Sequence, residues 1–189
     1  QASAAASHVS ILLNKPRLKV EAITAIVDED LCKMCGQCAP VCPFSAITWE
    51  KKQVARVTTA ACSGCGTCAA ECKYGAISMR HFSDQAIYAQ IDAMLEEDPA
   101  GAVVSFACNW CSYAGADYAG VSRLQYPPNV RLIRTMCSGR VDENFIWYGF
   151  RKGAPVILVS GCHIGDCHYI DANHWTEKRV EKIRKKMET

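Results

Sequence analysis

The sequence predicts two small domains in succession, an α+β unit wrapped around metal clusters and a small α/β unit with a short parallel sheet. Two observations carry this. Residues 32–72 repeat one cysteine spacing, C-x2-C-x2-C-x3-C, in CKMCGQCAPVCP and CSGCGTCAAECK. Beyond residue 101 the pattern changes to three apolar, β-rich segments, AVVSFA, VRLIRTM and PVILVS, separated by helical stretches, as parallel strands covered on both faces would read. A chain of 189 residues with 50% hydrophobic composition suffices for two such cores.

Taken in order, residues 2–14, ASAAASHVSILLN, predict a short docking helix with Val9, Leu12 and Leu13 on one side, ended before Pro16. His8 has no cysteine near it in sequence and reads as a surface or packing histidine. Residues 1–17 are expected to be the end of something longer, because the chain opens at Gln1 without methionine and lacks a signal-peptide layout. Residues 18–27 are then extended and lead into the first run.

In each run, three cysteines at steps of three wrap one cluster in a tight loop, and the fourth, one turn further on, reaches the other cluster. This predicts one 4Fe-4S cluster on Cys32, Cys35, Cys38 and Cys72, and a second on Cys62, Cys65, Cys68 and Cys42. Gly36, Gly64 and Gly66 lie inside the loops, where positive φ and close backbone approach to sulfide are needed. Cys42-Pro43 follows the bacterial pattern, whereas Cys72-Lys73 departs from it without losing a ligand. Zinc sites present separated C-x2-C pairs, and disulfides at this density belong to small secreted chains. Neither accounts for the two runs. AITWEKKQVARV, 46–57, reads as a hairpin, and GAISMR, 75–80, matches AITWE in the other half. Residues 18–82 therefore read as a ferredoxin-type domain for two clusters, with a pseudo-twofold.

Ser83 is placed to cap a helix to about Glu97, with Ile87, Tyr88, Ile91, Met94 and Leu95 on one face and Asp98-Pro99-Ala100-Gly101 as its stop. Residues 83–101 form the linker to a domain over 102–189, in which further helices are expected at about 112–125, 142–152 and 171–187. Cys108 and Cys137 directly follow the first two strands, and Cys162 follows the third after one glycine. All three thus meet at the carboxyl edge of a parallel sheet, where binding crevices form. Cys111 and Cys167 join them through C-x2-C and C-x4-C spacings. This predicts a 2Fe-2S cluster on four of Cys108, Cys111, Cys137, Cys162 and Cys167, with the odd one open. His163 and His168 are assigned supporting or packing roles, since the cysteines suffice as ligands. Arg140 and Arg123 are candidates to offset cluster charge, and Trp110 and Tyr113 are expected in the core. The last helix sets Val180, Ile183 and Met187 on one stripe, with a solvated basic face elsewhere.

Thirteen cysteines, an odd number, exclude a closed disulfide framework, and thiolate ligation calls for a reducing compartment, the cytoplasm. A net charge of +2 argues against nucleic acid as a partner. No apolar run approaches the ~20 residues of a membrane span.

Residues 1–82, with ASAAASHVSILLNK, IVDEDLCKMCGQCAPVCPFSAI and CSGCGTCAAECKYGAI, resemble the C-terminal part of the A subunit of heterodisulfide reductase, where a double-cubane ferredoxin follows a flavin domain. Residues 102–175, with FACNWCSYAGAD, YPPNVRLIRTMCSGRVD and SGCHIGDCHY, resemble the delta subunit of methyl-viologen-reducing hydrogenase. The resemblance implies a fusion of the two. Its 2Fe-2S cluster would take electrons from a hydrogenase or formate dehydrogenase module and pass them towards the flavin-bearing core of a heterodisulfide reductase. The FAD would lie upstream of these residues or in a partner, within a large hetero-oligomer that bifurcates electrons, as in methanogenesis. No catalytic residue is expected in this stretch. The alternative is a thiol-disulfide oxidoreductase that uses a spare cysteine of GCHIGDCHY beside His163 or His168.

Overall fold

The computed structural model describes residues 22–188, together with Ser3, Ala6, Ser7, Ser10 and Asn14. Ser3, Ala6, Ser7 and Ser10 are helical and exposed, and the Ser7 and Ser10 hydroxyls donate to the Ser3 and Ala6 carbonyls at 2.9 and 2.7 Å. His8, the expected stripe of Val9, Leu12 and Leu13, and residues 18–21 of the expected extended segment lie outside the described residues.

Four short strands build the first half. β1 (Ala25–Val27) pairs antiparallel with β4 (Ile77–Met79), and β2 (Ile47–Thr48) with β3 (Arg56–Val57). Ala25, Ile47, Ile77 and Met79 point inward, where they meet Val41, Ala55, Ala69, Cys38 and Cys68. The core of this half thus contains the cysteines themselves. The two runs differ locally: the second forms a turn of helix, α1 (Thr67–Ala70), and the first only successive turns. Ala70 donates its N–H to the Gly66 carbonyl at 3.2 Å. Its counterpart is Pro40, which has no N–H to give.

Next comes α2 (Asp84–Met94), started by the Ser83 hydroxyl, which accepts the Ala86 N–H at 3.3 Å. It ends at Leu95, short of the expected Glu97, and the Asp98 carboxylate takes the Gly101 N–H at 3.0 Å to shape the following turn. Ile87, Ile91 and Leu95 are buried against the second half, in one core with Val104, Phe106, Ile133, Phe145 and Ile183.

That half is a three-stranded parallel sheet of order β6-β5-β7, with β5 (Val103–Cys108) between β6 (Val130–Thr135) and β7 (Val156–Ser160). β5 is followed by a π-helical turn (Asn109–Tyr113) and α3 (Ala114–Val121) in place of one helix over 112–125. A wide turn of this kind is common at functional sites, and here it carries Cys111. α4 (Glu143–Arg151) starts at Asp142, whose carboxylate accepts the Asn144 N–H at 2.7 Å, and stops before Gly153 at φ +98°. α5 (Ala172–Met187) closes the chain. The sheet is not covered on both faces: Val156 and Leu158 of the outer strand are 49% and 48% exposed, because α3 buries none of its residues. Among the described residues, no helix is long and apolar enough to cross a membrane.

Candidate metal centres

The two cysteine runs shape two cavities. Cys32, Cys35, Cys38 and Cys72 line one, with Val27, Trp49 and Ile77 among its other walls. Cys42, Cys62, Cys65 and Cys68 line the other, beside Phe44, Ile47 and Met79. Each cavity therefore takes three cysteines from one run and the last cysteine of the other. The fourth cysteines are held alike: the Ala46 N–H points at Cys42 Sγ and the Ala76 N–H at Cys72 Sγ, both at 3.3 Å. Four thiols on apolar walls, with backbone N–H groups aimed at sulfur, are the donor set that a 4Fe-4S cluster takes. Burial pushes the free Cys38 thiol up to about 11 and those of Cys65 and Cys68 upward as well. Cluster insertion must therefore displace protons.

Glycine is required in the loop of the second cavity. Gly64 has φ +77°, and a Cβ there would stand 2.3 Å from the Ile23 carbonyl oxygen, which is backbone and cannot swing away. Gly75 also has a positive φ, +62°, but a Cβ there would meet nothing within 4 Å. Gly75→Ala is expected to cost about 1–2 kcal/mol, the backbone conformation alone. Gly64→Ala adds the clash, so it should cost more than Gly75→Ala and also lower iron content. Thermal unfolding and iron analysis of the two variants, side by side, check this; equal losses would contradict it.

In the second half, Cys108 ends β5, and Cys137 and Cys162 each stand two residues beyond β6 and β7. The sulfurs of Cys108, Cys111 and Cys162 lie within 4.8 Å of one another, with Cys108 and Cys162 4.0 Å apart. Cys137 is 1% exposed, and its Sγ accepts the Gly139 N–H at 3.3 Å. The mutual influence of Cys137 and Cys108 holds Cys108 below the usual thiol range and pushes Cys137 above it. Cys167 stands outside that trio, in one apolar cluster with Cys137, Cys65, Tyr169, Ala172 and Phe44. Close approach builds this edge too, since a Cβ on Gly161 would stand 2.6 Å from the Ser138 hydroxyl oxygen.

Several side chains sit elsewhere than expected. Trp110 and Tyr113 are 46% and 36% exposed rather than in the core, since the π-helical turn swings them outward. Trp110 stacks on His168 at 3.6 Å between ring centroids and donates its Nε1–H to the Tyr169 hydroxyl at 3.0 Å. His168 thus packs through its ring, and the His163 ring contacts the neighbouring Ile164 carbonyl. Arg123 is exposed at φ +58°, whereas Arg140 is buried. Met187 is 56% exposed and drops off the buried stripe of α5.

Sequence reasoning missed two residues. Tyr169, 4% exposed, meets Phe44 of the second cavity edge-on, with ring centroids 6.2 Å apart. Arg179, 8% exposed, pairs with Glu71, the neighbour of Cys72, and donates to the Gly139 and Val141 carbonyls at 2.6 and 3.1 Å. Its place between Thr176 and Ile183 at steps of three and four marks it as inward-facing; its charge hid that signal.

Similarity to known proteins follows the same two halves. The family model for the delta subunit of methyl-viologen-reducing hydrogenase matches residues 103–189, and that for the 4Fe-4S binding domain matches residues 25–48. Over 97% of its length the chain is 45% identical to the A subunit of the ferredoxin/F(420)H(2)-dependent CoB-CoM heterodisulfide reductase of Methanosarcina acetivorans, and equally to the A subunit of the ferredoxin:CoB-CoM heterodisulfide reductase of Methanosarcina mazei. It spans 23% of the length of each. It is 54% identical, over 41% of its own length and 54% of the relative's, to the iron-sulfur D subunit of the vhc F420-non-reducing hydrogenase of Methanococcus voltae. A cysteine-lined ferredoxin-type half leading into a parallel-sheet half is thus similar to the C-terminal region of the heterodisulfide reductase A subunit, with a match to the 4Fe-4S binding domain followed by one to the hydrogenase delta subunit.

Proposed function

We propose that the chain is a three-cluster electron relay. Cys32, Cys35, Cys38 and Cys72 hold one 4Fe-4S cluster, Cys42, Cys62, Cys65 and Cys68 a second, and four of Cys108, Cys111, Cys137, Cys162 and Cys167 a 2Fe-2S cluster. Bound clusters supply one-electron chemistry that needs no acid, base or nucleophile from the protein. The residues provide spacing, dryness and order.

One observation carries the reading. Cys65, from the second cavity, and Cys137, from the sheet edge, belong to one buried apolar cluster with Tyr169 and Ala172. The Tyr169 ring occupies the seam, its hydroxyl tied to Trp110 of the Cys108–Cys111 loop and its edge against Phe44. Water is thereby kept from the junction. The order is then sheet edge, second-run cavity, first-run cavity. In the assembly the relay runs between a hydrogenase or formate dehydrogenase module and the flavin-bearing core of a heterodisulfide reductase, as part of a hetero-oligomer.

Iron and sulfide analysis, with EPR during stepwise anaerobic reduction, tests the relay. It predicts about ten iron atoms per chain and a separate 2Fe-2S signal. About eight iron atoms with filled cubanes and no such signal would overturn the third cluster, and would leave the last five cysteines to thiol-disulfide chemistry.

A further inference from the structure

We propose that Arg140 is a potential-setting cation shared by the second-run cluster and the sheet-edge cluster, a role that rests on the cluster reading above. Arg140 is the largest of the fully buried side chains among the described residues and is 2% exposed. It ends the 3-10 turn Ser138–Arg140, three residues beyond Cys137, and its N–H bonds to the Cys137 carbonyl at 3.1 Å. Its stem crosses into the other half, where a Cβ on Gly66 would stand 2.4 Å from Arg140 Cδ. Gly66 lies between Cys65 and Cys68, so no side chain separates the arginine from that loop. One residue thereby touches the ligand loops of both sites.

Its hydrogen bonding is incomplete. Nη2 donates to the Phe82 carbonyl at 3.1 Å and to the Asp84 carboxylate, while the guanidinium carbon lies 5.0 Å over the Phe145 ring. Nε and Nη1 are buried and have no partner among the described residues. Arginine stays charged at any working pH, and a buried charge with unmet donors needs a compensating anion. Asp84, 33% exposed, is shared with solvent and neutralises it only in part. Thiolate-ligated clusters are anionic, and more so when reduced. The neighbouring Arg179 is committed to Glu71, Thr176 and two carbonyls, so the unmet donors at this seam belong to Arg140.

The sign follows. A nearby cation favours the reduced, more negative form and raises the midpoint potential, so removing it lowers the potential. Removing Asp84 leaves the cation less neutralised and raises it.

EPR-monitored redox titration of the iron-loaded protein, comparing Arg140→Gln, Arg140→Lys and Asp84→Asn, provides the test. Arg140→Gln is expected to shift the oxidised-to-reduced ratio of the second-run cluster at fixed potential about tenfold towards the oxidised form, about 59 mV for one electron. The sheet-edge cluster should move the same way and the first-run cluster less. Arg140→Lys should keep most of the wild-type value, and Asp84→Asn should shift in the opposite sense. Unchanged midpoints at full iron content, or shifts of one sign in Arg140→Gln and Asp84→Asn, would overturn the proposal. If Arg140→Gln fails to fold, the direction of the Asp84→Asn shift decides. If the protein holds only about eight iron atoms, the third cluster fails, and the second-run midpoint alone judges Arg140.

Discussion

Replacing Cys42 with alanine is expected to abolish the cluster built on the second run, not the first, although nineteen residues separate Cys42 from Cys62. Iron should fall by about four atoms per chain, and Cys42→Ala should lose the same EPR signal as Cys62→Ala. Conversely, Cys72→Ala should match Cys32→Ala. The reason lies in the cavities: Cys42 stands with Cys62, Cys65 and Cys68, and Cys72 with Cys32, Cys35 and Cys38. Each run starts one site and finishes the other, so neither loop is complete alone. If Cys42→Ala shared its lost signal with Cys32→Ala, each run would be filling its own site and the assignment would be wrong.

Removal of iron is expected to unfold residues 25–80 while the parallel-sheet half stays folded. The first half has strands of two or three residues, and its inward side chains are mostly small, with cysteines among them. Two-stranded ribbons of this length are marginal in water. Cluster binding therefore supplies most of its folding free energy; structural zinc sites contribute on the order of 10 kcal/mol in this way. The second half has an ordinary apolar core, with Phe106, Phe145, Ile133 and Val104 at 0% exposure. Limited proteolysis after anaerobic chelation should cut within 25–80 and spare 103–187, with partial loss of far-UV circular dichroism. Equal protection of both halves would show that the first half folds without metal.

The cluster-forming part of the fold is legible because its chemistry is local. Loops with cysteines at steps of three, and glycines where φ must be positive, are dictated by neighbours in sequence, and Gly36, Gly64 and Gly66 adopt φ of +76°, +77° and +82°. The parallel strands were likewise written in their apolar composition, as was the Ser83 cap. Local signals failed where a wide turn replaced a helix: the π-helical stretch at Asn109–Tyr113 carries Trp110 and Tyr113 outward, although their composition reads as core.

The sequence alone determined which cysteines fall into runs, which follow strands and, through the glycines, where the backbone turns with positive φ. Only the tertiary structure decided how the two halves face each other. Arg140 against Gly66, Arg179 against Glu71, and Tyr169 between Cys65 and Cys137 join positions 74, 108 and up to 104 residues apart. The physical reason is that burial of a charge or an aromatic ring depends on surfaces contributed by both halves. A guanidinium that reads as solvated along one helix becomes an interior cation once a second domain closes over it.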